Sequence, residues 1–278
     1  MNDVAVLLRA CTLKIEHEPA VFRDGRSRAV LVSASTECFA DLSLPNTLER
    51  FVDLEFSHID LSISEKGHHL RPSQVAEDVD QAIDLCRNTS RLNVVAYNVE
   101  IEAQGEEHYR QFDACCRLAK ATKVVSITVP SAELGTPFNE EVEHLRRLVS
   151  IASVEGVLVS MRSQIDRLSQ DPDTVVVLCD NVKGLGLTFD PSHYICGPYP
   201  KKNVDQLMKY VYHVLLRDTS DSELQVRIGQ GKVEYGRLIN QLSKVNYQGA
   251  LSVSITEMPE VDHFAEMRKM RLLLESLL

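Results

Sequence analysis

The chain has 278 residues, of which 44% are hydrophobic and 25% are charged. This length and composition suit one large globular domain with a substantial core, and they exclude fibrous and intrinsically disordered proteins. The formal net charge of −10 argues against nucleic acid as a partner, because clustered Lys and Arg side chains supply most of the affinity for phosphates.

The cysteines and the N-terminus give a first indication of location. Seven cysteines show neither a Cys-x-x-Cys pair nor regular spacing, so we expect reduced thiols in a domain with enough core to need no cross-links. The N-terminus lacks the basic region of a signal peptide, and no stretch reaches the ~18 apolar residues of a membrane span. These features predict a cytoplasmic protein without membrane contact.

Short runs rich in β-branched residues alternate with longer amphipathic segments along the chain. This alternation is typical of repeated βα units that build a parallel sheet. Eight such units close a (β/α)8 TIM barrel, which needs about 250 residues. We therefore predict one α/β barrel domain over residues 29–278. The predicted strands are residues 30–36, 57–63, 92–99, 123–129, 156–162, 184–190, 211–217 and 249–256.

The segments between these runs have the signals of helices. Ser, Asn and Pro residues stand where several of them begin, as is common at helix N-termini. Within one segment, Val142, Leu145 and Leu148 recur on one face and form the apolar stripe of an outer-ring helix. The predicted helices include residues 47–54, 74–87, 140–153 and 261–278, the last of which would close the ring.

Residues 1–28 fall outside the eight units and form a predicted N-terminal extension. Asp24 and Gly25 provide a turn signal ahead of the first strand. Two interpretations remain open, a strand or hairpin that caps the bottom of the barrel and an arm that contacts a second copy. The second would make the protein a homo-oligomer.

The most distinctive motif is Gly-Leu-Thr-Phe-Asp-Pro-Ser-His at residues 186–193. It is followed in order by residues 213–218, 227–234 and 249–254. Together these segments resemble the xylose isomerase-like TIM barrels, a group of sugar phosphate isomerases and epimerases related to AP endonuclease family 2. The group includes keto-acid isomerases, some dehydratases and endonuclease IV, so the resemblance implies a fold before any activity.

The resemblance also implies a metal site at the ends of the last four strands. Metal-dependent members hold one divalent ion through a Glu on strand five, an Asp on strand six, a His on strand seven and a Glu on strand eight. Asp190 matches the Asp, and His193 completes the Asp-x-x-His signature. The three remaining positions carry Arg162, Leu215 and Ser254.

This set of residues predicts a degenerate metal site. One carboxylate cannot hold a divalent ion against water, so we expect no metal cofactor, with Asp190 as the only retained ligand position. Mn, Mg or Zn would be expected only if the alignment were wrong. We expect the guanidinium of Arg162 to lie close to Asp190 and fill the volume of the ion, because an unpaired buried carboxylate is costly.

Asp190 and His193 are the candidate catalytic residues, since a carboxylate can orient an imidazole for acid–base work near neutral pH. A vestigial polar network is the alternative. Arg162, Arg217 and Arg227 are candidates for one shared site that binds a carboxylate or phosphate, although each could equally be a structural ion-pair partner.

The remaining candidates are polar positions near strand ends. Gly229 and Gly231 form a turn whose amides would face a ligand or simply order the loop. Asp60, Asn98 and Glu100 are less specific pocket candidates. The predicted substrate-binding residues are Arg162, Gln164, Arg217, Arg227, Ser254 and His213.

Two functions from different classes remain open. The first is an isomerase or epimerase that acts on a small polyhydroxy or keto-acid substrate without metal. The second is a catalytically silent barrel that binds an anionic, sugar-like ligand or a protein partner. DNA repair of the endonuclease IV type is the least favoured, because too few His and Glu residues stand at strand ends for a zinc cluster.

Overall fold

The computed structural model describes residues 30–278, and the expectations for residues 1–28 lie outside that range. Within it, eight parallel strands pair in sequential order, and β1 closes the barrel by pairing with β8. All eight predicted strands are confirmed, two of them at the expected length and six of them one to four residues shorter. They are β1 (Leu31–Ser35), β2 (His58–Ser64), β3 (Asn93–Glu100), β4 (Ser126–Val129), β5 (Leu158–Arg162), β6 (Leu185–Phe189), β7 (Val211–Leu216) and β8 (Ala250–Val253).

The helices follow the strands and surround the barrel. Most have one buried face, as in the predicted apolar stripe, where Val142, Leu145 and Leu148 are all buried. They are α1 (Leu44–Asp53), α2 (Pro72–Glu77), α3 (Val79–Arg87), α4 (Glu106–Thr122), α5 (Phe138–Glu155), α6 (Pro172–Asn181), α7 (Ser192–Ile195), α8 (Tyr235–Lys244) and α9 (His263–Leu277).

One predicted helix, residues 74–87, is divided in two by Asp78. The backbone of Asp78 is extended, with φ −144° and ψ 90°, and its side chain accepts a hydrogen bond from the N–H of Gln81. Asp78 thereby caps the second helix, as short polar residues do at helix N-termini. The amphipathic period runs through both segments, so the pattern alone did not reveal the break.

The barrel interior contains polar residues where Val, Ile and Leu usually dominate. The Thr188 hydroxyl lies 2.7 Å from the hydroxyls of both Thr128 and Ser160. Elsewhere in the interior, the Asp60 carboxylate accepts a hydrogen bond from Ser33 at 3.0 Å and lies 2.6 Å from Nε2 of His213. The interior is therefore held by hydrogen bonds that cross the barrel.

The cysteines that the structure describes agree with the prediction of thiols without cross-links. All six in residues 30–278 are free thiols, and five of these are buried. In the same range no helix is long and apolar enough to cross a membrane.

Candidate functional site at the mouth of the barrel

Asp190 directly follows β6 and is fully buried at the mouth of the barrel. Its Oδ1 accepts hydrogen bonds from the backbone N–H and the hydroxyl of Ser192, at 3.0 and 2.5 Å. Its Oδ2 lies 3.2 Å from Nη2 of Arg217 and 3.6 Å from Nε2 of His193. Burial acts to raise the pKa of Asp190, but Arg217, His193 and Ser192 hold it below its ordinary value. Asp190 is therefore an ionised carboxylate whose charge is balanced inside the protein.

The cation beside Asp190 comes from β7 and not from β5. Arg217 follows β7, is only 7% exposed, and donates a hydrogen bond to the hydroxyl of Ser254 at 3.3 Å. Arg162 instead donates two hydrogen bonds to the carboxylate of Glu37, at 3.1 and 3.2 Å. The expected contact between Arg162 and Asp190 is thus replaced by Arg217, because Glu37 provides a bidentate partner for Arg162.

His193 lies beneath the mouth with both ring nitrogens facing the protein. Its Nδ1 accepts a hydrogen bond from the N–H of Ile165 at 3.1 Å, so Nε2 carries the proton and faces Asp190. Burial lowers the pKa of His193 to about 4, despite the opposing effect of Asp190. The ring is neutral near pH 7 and fixes the chain that follows β5. A catalytic role for His193 and Asp190 remains a prediction.

Two of the predicted substrate-binding residues lie away from the mouth. His213 bonds to Asp60 in the barrel interior and is 2% exposed. Arg227 is half-exposed, with its Nε 3.6 Å from Glu266 on α9. Arg227 therefore does not join the other two arginines, which both act electrostatically on Asp190, Arg217 through direct contact.

The turn at Gly229 and Gly231 faces its own chain. Their N–H groups donate hydrogen bonds to Oδ2 of Asp218, at 2.7 and 3.0 Å. A side chain at position 231 would collide with the carboxylate of Asp218, which explains the glycine there. Of the two interpretations of this turn, the one that orders the loop agrees with these contacts.

An open cavity lies on the other side of the mouth, at the ends of β1 to β5. Its volume is about 60 Å³, and it opens to solvent. Asn98 on β3 lines this cavity and is 4% exposed, yet within residues 30–278 neither atom of its amide has a hydrogen-bond partner. A buried amide without a partner costs about 1–3 kcal/mol, so it indicates a place for water or a ligand. The cavity is lined by Glu37, Ser62, Asn98, Val99, Glu100, Thr128, Val129, Pro130, Arg162 and Gln164.

The donors at the mouth do not fit a divalent ion. Among the described residues, no group of three or more His, Cys, Asp and Glu side chains is placed to hold a metal. Leu215 has no donor atom, and Ser254 already accepts a hydrogen bond from Arg217. A guanidinium 3.2 Å from Asp190 would also repel a second cation at that carboxylate.

The closed barrel of parallel strands, with its polar mouth at the strand ends, defines the class as a TIM barrel. Residues 48–274 match the family described as xylose isomerase-like TIM barrel. The chain belongs to this family.

Individual relatives are distant in sequence. An uncharacterized protein of Methanocaldococcus jannaschii is 22% identical, with 83% of this chain and 86% of that protein covered. A xylose isomerase-like TIM barrel protein from Mycobacterium smegmatis, solved with magnesium, has a TM-score of 0.72 at 15% identity, covering 90% and 96%. The 3-keto-D-glucoside 4-epimerase of E. coli has a TM-score of 0.68 at 14% identity, covering 89% and 100%. At these identities the solved structures establish the fold.

Proposed function

We propose that this chain binds a small polyhydroxylated, sugar-like ligand in the cavity at the ends of β1 to β5, and that it does so without a divalent metal ion. The observation that carries the proposal is the buried pair of Asp190 and Arg217, 3.2 Å apart. This pair fills the side of the mouth where the metal-dependent relatives would hold their ion, and leaves the cavity on the opposite side.

The lining of the cavity supports a hydroxyl-rich ligand. Ser62, Asn98 and Gln164 offer hydroxyl and amide groups, and Glu37 and Arg162 add an acceptor and a donor. A sugar hydroxyl both donates and accepts hydrogen bonds, so it can satisfy the amide of Asn98, which has no partner among the described residues. The net charge of −10 supports a small molecule over nucleic acid.

The neighbours in fold support the same class of ligand. Several are described as sugar epimerases, among them L-ribulose 3-epimerase and a D-tagatose 3-epimerase-like protein. Carbohydrate binding at the C-terminal ends of the strands is therefore the proposal that joins this fold to the polar cavity.

Metal-free isomerisation or epimerisation is the second candidate function. It is favoured by the Glu37 carboxylate, which lines the cavity beside the guanidinium of Arg162. Burial acts to raise the pKa of Glu37, but Arg162 outweighs it and the pKa is lowered, so Glu37 is an ionised and therefore available base. Arg162 would stabilise the negative charge that develops on a carbonyl oxygen when Glu37 removes the neighbouring proton. A low pKa makes Glu37 a weak base, so we rank binding first.

Metal content and ligand binding test the proposal together. Elemental mass spectrometry of purified protein, with melting curves before and after chelation and after addition of Mn, Mg or Zn, should show no stoichiometric metal and no shift. A chelator-sensitive melt would contradict metal independence. In a screen of sugars by calorimetry, Asn98→Leu and Arg162→Met should weaken binding at least tenfold, whereas Arg227→Met, at an arginine outside the cavity, should not.

Turnover separates the two candidates. Each sugar that binds is incubated with the protein and analysed for isomers by NMR. Conversion that disappears in Glu37→Gln would establish the second candidate, and conversion that disappears in His193→Ala would instead support the predicted pair of Asp190 and His193. Binding without conversion agrees with the first.

A further inference from the structure

We infer that the ligand of this cavity carries a positively charged amino group beside its hydroxyls, and that ligands with a phosphate or carboxylate are excluded. This inference rests on the proposed function, since it specifies the chemistry of a ligand for the same cavity.

The first argument is the charge of the lining. Of the ten residues that line the cavity, three are charged, namely Glu37, Glu100 and Arg162. Two carboxylates and one guanidinium give a net charge of −1. Beside the cavity, Arg217 and Asp190 form an ion pair without net charge, in which Arg217 also acts on Glu37 and Asp190 on Arg162. The cavity is therefore weakly acidic, and the protein as a whole has a net charge of −10.

The second argument is that Arg162, the one cation that residues 30–278 place in the lining, is already bound. Both terminal nitrogens of Arg162 donate to the two carboxylate oxygens of Glu37. An incoming phosphate could reach only the remaining N–H groups of Arg162, and its charge would stand close to the carboxylate of Glu37, which repels it. At the rim, Lys66 lies 2.7 Å from Glu102 and does not line the cavity. Among the described residues, no other member of the lining offers a positive charge to an anion.

The third argument is the arrangement of Asn98 and Glu100 on β3. They are two positions apart on one strand, so their side chains project to the same face, and both line the cavity. Within residues 30–278, the amide of Asn98 has no partner. The carboxylate of Glu100 makes no side-chain hydrogen bond there and acts on Arg162 and Lys66 only through space. An ammonium group placed between them can donate to Oδ1 of Asn98 and to the carboxylate of Glu100. A neighbouring hydroxyl can accept from Nδ2 of Asn98.

Calorimetry with matched sugars tests this inference on the full chain. The probes are hexosamines of several configurations, their N-acetylated forms, the parent hexoses and the hexose phosphates, at slightly acidic pH where the amines are charged. We expect the preferred hexosamine to bind about tenfold more tightly than its neutral N-acetylated form. We expect no binding of the hexose phosphate.

Variants at the rim assign the preference to a residue. Glu100→Gln should reduce the preference for the amine over the parent hexose about threefold to fivefold, the effect of an exposed ion pair. The hexose itself should bind as before. The control is Glu106→Gln, which removes an exposed acidic residue that is paired with Arg147 and lies outside the cavity. Added salt should weaken the binding of the hexosamine and leave the binding of the hexose unchanged.

The outcomes separate this inference from the proposed function. Tighter binding of a hexose phosphate than of the hexosamine would overturn the inference and leave sugar binding intact. A preference for the amine that is unchanged in Glu100→Gln would also overturn it. If no probe of any charge bound, the proposed function itself would fail.

Discussion

On one side of the barrel mouth, the buried charges of Asp190 and Arg217 neutralise each other, and on the other side the buried amide of Asn98 has no partner among the described residues. We call the first side the closed half, formed by Asp190, His193, Arg217 and Ser254. We call the second the open half, formed by the ten residues that line the cavity. Both halves stand at strand ends, but they differ in what satisfies their polar groups.

The closed half has acquired its own counter-ion. Arg217 contacts both Asp190 and Ser254, and the Nδ1 of His193 bonds to the backbone. Such a network needs no ligand to be stable, because each charge has an opposite charge beside it. Oδ2 of Asp190 and Nε of Arg217 lack hydrogen bonds but belong to an ion pair, whereas both amide atoms of Asn98 have no partner of any kind among the described residues. The open half is therefore the more informative sign of a binding site. The difference teaches that the charged residues at the mouth of a barrel need not mark its open cavity.

Removing the counter-ion should have the largest effect. Arg217→Met leaves the carboxylate of Asp190 buried without its cation, and we expect the free energy of unfolding to fall by about 3–5 kcal/mol. Chemical denaturation measures the change. The double variant Asp190→Asn with Arg217→Met removes both charges and should recover most of the loss. A single variant as stable as the wild type would show that the pair does not hold the closed half.

The pH dependence of stability should show the burial of His193. Its folded pKa of about 4 lies below the unfolded value of about 6.5, so the unfolded state binds more protons between these pH values. Stability is therefore full above about pH 6.5 and falls as the pH drops toward 4, by about 3 kcal/mol from this one group. In His193→Asn, where the amide oxygen can replace Nδ1 as acceptor, this part of the slope should be absent. If the unfolding free energy fell equally with pH in both proteins, the neutral, buried state of His193 would be contradicted.

The smallest effect on stability should come from the open half. Asn98→Leu replaces an amide without protein partners by an apolar group of similar size, so we expect unfolding free energy to be unchanged or to rise by about 1 kcal/mol. Ligand binding should be lost at the same time. Asn93→Leu, at the exposed start of the same strand, is the control and should leave binding intact. A marked loss of stability in Asn98→Leu would mean that the amide is part of the fold and not of a binding site.

Much of the fold could be predicted because it depends on local patterns. The eight runs of β-branched residues and the apolar stripe of α5 record which face of each element is buried. The signature at Asp190 and His193 joins residues three apart, so it needed no tertiary information. The break at Asp78 escaped the prediction because a capping aspartate does not interrupt the apolar period of the two helices.

The partners in the site were decided by the closure of the barrel. Glu37 and Arg162 are 125 positions apart, and Asp60 and His213 are 153 apart. No local pattern records such distances, and two arginines at neighbouring strand ends were equally good candidates for Asp190. The sequence by itself determined the βα repeat and placed Arg162, Leu215 and Ser254 near the ends of three strands. Only the tertiary structure decided which cation meets which carboxylate, because ion pairing depends on distances of a few ångströms between strands that meet only when the barrel closes.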